Sequence, residues 1–219
     1  MKTKLLIAGL PNTGKTTLLQ SLNNVLVFAR DGKKYPFPQP HVNVESFTYV
    51  SELLEVIEEK IHTFKEKMGK YPDTVVIDSM SKILLDIEST TCARVKSFPY
   101  GVVNGEISAL MAFIETNLTD NFNIILVSHA IFDPDTENYN LVNPGGSWGK
   151  KGGILSEVDQ SIFIEIIGKK RVIHLRNANM TARTTIEELP DKVNEKDFCL
   201  QEHLDLLQKH QSVASDFSL

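Results

Sequence analysis

Four short runs of apolar residues recur along the first part of the chain: Leu5-Leu6-Ile7-Ala8, Val25-Leu26-Val27-Phe28-Ala29, Thr74-Val75-Val76-Ile77-Asp78 and Ile124-Ile125-Leu126-Val127. None alternates with polar residues, so each reads as a strand buried on both faces. Between them the period changes. Val50, Leu53, Leu54, Ile57, Ile61, Phe64 and Met68 fall on one side of a helix, with Thr48 or Ser51 as its cap and Gly69-Lys70-Tyr71-Pro72 as its stop. Further helices are expected from Thr17 to Leu22, from Ser79 to about Ala93, and from about Gly105 to Leu118. Strands alternating with helices predict an α/β fold, a mostly parallel central sheet covered on both faces.

The pattern then breaks. Arg30 to Pro40 holds three prolines, and residues 94–104 and 130–153 read as loops, the second unusually long for a compact domain and therefore a candidate for function. Ser161 to Ile167 and Arg171 to Arg176 alternate around Gly168-Lys169-Lys170, which predicts a C-terminal antiparallel hairpin added to the sheet. Residues 1–187 are expected to form the core. Residues 188–219 read as an acidic tail with a short helix near Leu200 to Gln211 between flexible ends.

With 219 residues, 42% hydrophobic and 23% charged, the chain has the make-up of one soluble globular domain with a sizeable core. Cys92 and Cys199 have no metal-site or disulfide spacing and read as free thiols of a reducing compartment. No segment has the apolar length of a membrane span, and Leu5 to Leu10 is too short for a signal-peptide core, so a cytoplasmic protein with no membrane association is expected. The net charge of −5 resides in residues 187–219, which carry eight acidic side chains against three lysines. Residues 146–186 carry seven bases against three acids, so a polyanionic partner is not excluded by the overall sign. The acidic tail is expected to compete for that surface or to meet a protein partner.

Residues 9–16, Gly-Leu-Pro-Asn-Thr-Gly-Lys-Thr, fit the spacing of a phosphate-binding loop, and they lie between an expected strand and an expected helix. That context gives the pattern its mechanism: main-chain N–H groups and the start of the helix face an anion. Gly9, Pro11, Asn12, Thr13, Gly14, Lys15, Thr16 and Thr17 are the candidate nucleotide ligands, with Lys15 on the β- and γ-phosphates and the Thr16 hydroxyl on Mg²⁺. Asp78 ends an apolar strand where a carboxylate can hold the Mg²⁺ shell. The residue after it is Ser79, not the catalytic Glu usual in ring-forming AAA+ proteins, so a base must come from elsewhere; Asp31 and Glu45 are the candidates.

His129, closing the fourth strand, is either a sensor of the terminal phosphate or a capping histidine; the other five histidines are expected at the surface. Arg94, Lys96, Phe98 and Tyr100 in one loop, and Asn143, Trp148, Lys150 and Lys151 in the other, interleave cations with rings as single-stranded nucleic acid requires. A solvated loop anchored by Trp148 is the alternative, and Asp133, Asp135 and Glu137 count against a purely nucleic-acid-binding loop. Arg183, or Arg176, is a candidate to reach a neighbouring subunit's nucleotide.

The phosphate loop, Val75-Val76-Ile77-Asp78-Ser79, Ile125-Leu126-Val127-Ser128-His129 and a closing hairpin followed by Thr181-Ala182-Arg183-Thr184 together resemble the RecA-like P-loop ATPase core, over about residues 3–187. The likeness is to short, core-only bacteriophage nucleotide-binding or single-strand annealing recombinases. It implies ATP and Mg²⁺ as cofactors, a homo-oligomer with nucleotide near subunit interfaces, single-stranded DNA handled by the two loops, and a bacterial host cytoplasm. Where RecA-like proteins commonly carry a glutamate, Ala29-Arg30-Asp31-Gly32 stands, which implies slow hydrolysis. Two other functions fit a phosphate loop: a small-molecule or nucleotide kinase, disfavoured because residues 130–153 hold no arginine for a lid, and a nucleotide-gated interaction module with little hydrolysis. A GTPase is disfavoured because no Asn-Lys-x-Asp signature occurs.

Overall fold

The computed structural model describes residues 2–32 and 34–215, with side chains to residue 211. The chain runs β1 (Lys4–Gly9), α1 (Lys15–Leu18), β2 (Val25–Ala29), β3 (His41–Asn43), α2 (Val50–Met68), β4 (Thr74–Asp78), α3 (Met80–Arg94) and α4 (Pro99–Phe113). It continues through β5 (Asn123–Asp133), β6 (Asn138–Leu141), α5 (Ser147–Lys150), β7 (Gln160–Ile167), β8 (Lys170–His174), β9 (Lys192–Asn194) and α6 (Leu200–Ser215). The sheet order is β3-β2-β4-β5-β1-β7-β8-β9, with β6 paired to β5. From β3 to β7 every neighbour is parallel; β8 and β9 close that side antiparallel, as does β6 on β5. The expected α/β architecture with its C-terminal hairpin is observed.

Strand period 2 explains the layering. Leu6 and Ala8 of β1 join Leu26, Phe28, Val75 and Ile77 on the face covered by α2, α3 and α4. Leu5 and Ile7, one residue out of step, join Val25, Val27 and Val76 on the opposite face, where α1 and α6 lie. Both faces of the central strands are therefore buried, which is why their sequences do not alternate.

Five expectations need correction. The helix after the phosphate loop is a single α-turn continued by a 3₁₀ turn, Leu19–Ser21, so little helix dipole is available to the loop. α4 starts at Pro99, well before Gly105, because proline suits the first helical position; only residues 95–98 remain as loop there. Residues 130–153 are largely structured: β5 runs on to Asp133, returns as β6, and leads through Pro144 into α5.

The fourth correction is the tail. β9 pairs with β8, and Leu200, Leu204 and Leu207 of α6 are buried among Leu18, Leu19 and Leu22. Each leucine so buried contributes about 2 kcal/mol. Gln208 donates to Asn123, and Thr3 Oγ1 donates to Gln211 Oε1, so the acidic segment is tied to this chain's own body. α6 runs to Ser215, past the expected helix end at Gln211, and the remainder of the expected flexible end, residues 216–219, lies outside the described residues. Cys92 and Cys199 are free thiols. His41, His62 and His210 are exposed, but His174 and His203 are buried, contrary to the expected surface placement. No helix among the described residues is long and apolar enough to cross a membrane.

Candidate active site

Parallel strands deliver their C-terminal ends to one rim of the sheet, and the candidate residues collect there because β1, β2, β4 and β5 end side by side. The loop of residues 9–14 rises from β1 under tight constraint. A Cβ on Gly9 would stand 2.6 Å from the Ile164 carbonyl oxygen of β7, and one on Gly14 would stand 2.7 Å from Arg171 Nε. Gly14 also has φ of 95°, a left-handed conformation that glycine adopts without strain. Gly9 is thus fixed by the backbone of β7 and Gly14 by its left-handed conformation, with the Arg171 side chain lying over it.

Lys15 is 6% exposed, and its Nζ donates to Gly9 O at 2.9 Å and Leu10 O at 2.8 Å, folded back onto the loop's own carbonyls. Thr13 Oγ1 donates to Leu10 O at 2.9 Å and stiffens the same turn. Thr16 Oγ1 donates to Asp78 Oδ2 at 3.2 Å, so the two expected Mg²⁺ ligands already converge. A hydroxyl and a carboxylate are the hard oxygen donors that Mg²⁺ prefers, and the donor set fits that ion. Lys15, Thr16 and Asp78, with Asn12, Thr17, Ser79, Ser128, His129 and Arg171, line a cavity of about 270 Å³.

The same Asp78 oxygen accepts a bond from Tyr35 Oη at 2.6 Å. Burial, then the Asp78 charge, raises the Tyr35 phenol far above its ordinary value, so it stays a donor. Tyr35 lies in the proline-rich stretch after β2, where sequence alone offered no signal. Next to Asp78, Ser79 has φ of 67° and ψ of 43°, a left-handed backbone that costs about 1–3 kcal/mol in a non-glycine residue. Its Oγ donates to Asp31 Oδ2 at 2.9 Å, which explains how the position is held.

Asp31 and His129 both lie beside the cavity that Ser79 lines. Together with Arg30, Ser81, Lys82 and Val142 they line a second cavity of about 540 Å³ that shares Ser79 and His129 with the phosphate cavity. The His129 N–H donates to Ser81 Oγ, and its carbonyl accepts from Val142 N–H at 2.9 Å, at the base of the β5–β6 hairpin. Glu45, the other candidate base, is exposed and lines neither cavity.

The remaining candidates scatter. Arg94 stacks on Tyr49 at 4.1 Å and pairs with Glu106 at 3.1 Å, so it serves the α3–α4 junction. Arg183 donates through Nη2 to Leu155 O at 2.8 Å and to Val158 O, bonds within its own subunit that hold its guanidinium against the body. Arg176 pairs with Asp191 at 2.8 Å. Trp148 packs against the main core, the anchoring role weighed above.

Lys96, Phe98, Tyr100, Lys150 and Lys151 are exposed. Two of the segments meet: Asn104 donates to Ser147 Oγ at 2.8 Å, Gly145 N–H donates to Glu88 Oε1 at 2.9 Å, and a Cβ on Gly145 would stand 3.0 Å from the Tyr100 ring. The Glu88 charge pushes the Tyr100 phenol upward.

A family model described as an AAA domain matches residues 1–184, from the first strand to just beyond the bridge that Arg183 makes with Ser161. No curated protein matches the chain.

Proposed function

The chain belongs to the AAA domain family and is a nucleotide-binding P-loop ATPase; on that premise we propose that it hydrolyses ATP with Mg²⁺ and that single-stranded DNA docks on the rim above the site and stimulates turnover. The carrying observation is the convergence of Lys15, Thr16 and Asp78 on one small cavity. Lys15 exchanges the carbonyls of Gly9 and Leu10 for phosphate oxygens, which are stronger acceptors because they are charged. Mg²⁺ at Thr16 and Asp78 would neutralise charge developing on the transferred phosphoryl group.

Tyr35 steadies Asp78 from the outer side. Asp31, aimed by Ser79, accepts the proton of the attacking water, and His129 reports the terminal phosphate to the β5–β6 hairpin. Docking of a single strand is supported by Phe98, whose ring is 92% exposed on a left-handed backbone with φ of 51°. An aromatic presented this way gains nothing from the fold and suits stacking on a base. Tyr100, Lys96, Lys150 and Lys151 complete the rim. A role in recombination, repair or replication, with several copies acting together, follows the same reading.

Steady-state ATP turnover with and without single-stranded DNA tests it, alongside Lys15→Ala. Turnover raised by DNA, and lost by about 100-fold or more in the variant, is the expected result. Phosphate release that is indifferent to both DNA and Lys15→Ala would end the proposal.

A further inference from the structure

The β7–β8 hairpin reaches the nucleotide end of the sheet because β7 runs parallel to β1. Arg171 stands near the start of β8, and its guanidinium passes over Gly14, closer than any side chain at that position would allow. Among the described residues it is one of two cations lining the phosphate cavity, the other being Lys15, against Asp78 as the sole carboxylate of that lining. Its Nη1 donates to Glu195 Oε1 at 2.8 Å; the two side chains are 37% and 28% exposed. Glu195 opens the 3₁₀ turn that follows β9, so this pair ties the phosphate loop to the segment that leads into α6.

Resting on the nucleotide reading above, we propose that Arg171 is a second polyphosphate ligand, and that Glu195 holds it over the loop until nucleotide displaces the carboxylate. A guanidinium is a planar fork that bonds a carboxylate or a phosphate through the same N–H groups. An ion pair this exposed is weak, so a triphosphate, with more charge and more acceptors, wins the exchange. The C-terminal segment then senses occupancy of the site. A purely structural pair would stitch β8 to the turn after β9 and have no bearing on nucleotide affinity.

The two readings differ in sign. Binding of a fluorescent ATP analogue with Mg²⁺ is measured for the full chain and for R171Q, E195Q and the double variant, with thermal melting to check folding. R171Q is expected to weaken binding by about tenfold, the worth of one hydrogen bond to a charged group, and E195Q to tighten it about threefold by releasing the arginine. In the double variant the gain from E195Q disappears. Hydrogen exchange at residues 192–197 is expected to rise on saturation with nucleotide in the wild type and not in R171Q.

Unchanged affinity in a folded R171Q, affinity unchanged or weakened in E195Q, or wild-type exchange indifferent to nucleotide would each overturn the inference and leave the ATPase reading standing. A wild-type chain that binds no analogue removes that reading and this inference with it. Should R171Q fail to fold, E195Q decides alone, since it leaves the guanidinium in place.

Discussion

Around the phosphate loop, Lys15 is 6% exposed and Asp78 only 4%, and each already holds hydrogen-bond partners within the loop or from the strand ends beside it. On the rim, Phe98 and Tyr100 stand in solvent at the start of α4, and Lys150 and Lys151 lie in and just after a single-turn helix. The first region is partly preorganised: Thr16 and Asp78 already converge, while Lys15 rests on the loop carbonyls that phosphate oxygens would replace. The second has shape and charge but little fixation, which suits recognition of a chain that must slide or turn over. On the proposed function, chemistry and recognition are therefore separable, with His129 and the β5–β6 hairpin joining them.

That separation can be broken experimentally. Asp31→Asn keeps the acceptor for Ser79 Oγ but removes the base, so kcat is expected to fall by about 100-fold or more with little change in DNA affinity, read by parallel turnover and DNA-binding titrations. Loss of DNA binding in this variant would show the regions to be one unit.

Acid affects both regions together and must be kept apart from titration of the site. Burial lowers His203 from 6.5 to about 4. As the pH falls below 6.5 the unfolded chain takes up a proton that the folded chain refuses, so stability drops between about 6.5 and about 4 and levels off below. The loss is about 3 kcal/mol at most, measured by urea unfolding, and His203→Leu is expected to flatten the slope. The smallest effect is expected at the rim. Phe98→Ala should weaken single-strand affinity by about fivefold to tenfold, as loss of one stacking platform does, while DNA-free turnover stays at the wild-type level.

Sequence and structure agree where the signal is local. The glycine spacing, Lys15 and Thr16 form one contiguous motif, and Asp78 follows from an apolar strand that must end at the same rim. Tyr35 and Arg171 were not legible, because each reaches the site from a segment whose position depends on pairing far away in the chain: β2 beside β4 for one, β7 beside β1 for the other. The β5–β6 hairpin read as a loop because Asp133, Asn138 and Asn140 interrupt its apolar residues, and a two-stranded arm with much solvent contact has no apolar face to declare it. Charge was partly legible: the acidic segment was expected to compete for the basic surface, and Glu195 and Asp191 pair with Arg171 and Arg176 across β9. An acidic stretch beside a basic one was an intramolecular match.

Both outermost strands of the sheet, β3 and β9, are three residues long, and Pro36, Pro38 and Pro40 precede β3. So short a border offers few free main-chain donors and acceptors, and proline removes some of those nearby. Pairing of another chain onto either of these two borders is thereby disfavoured.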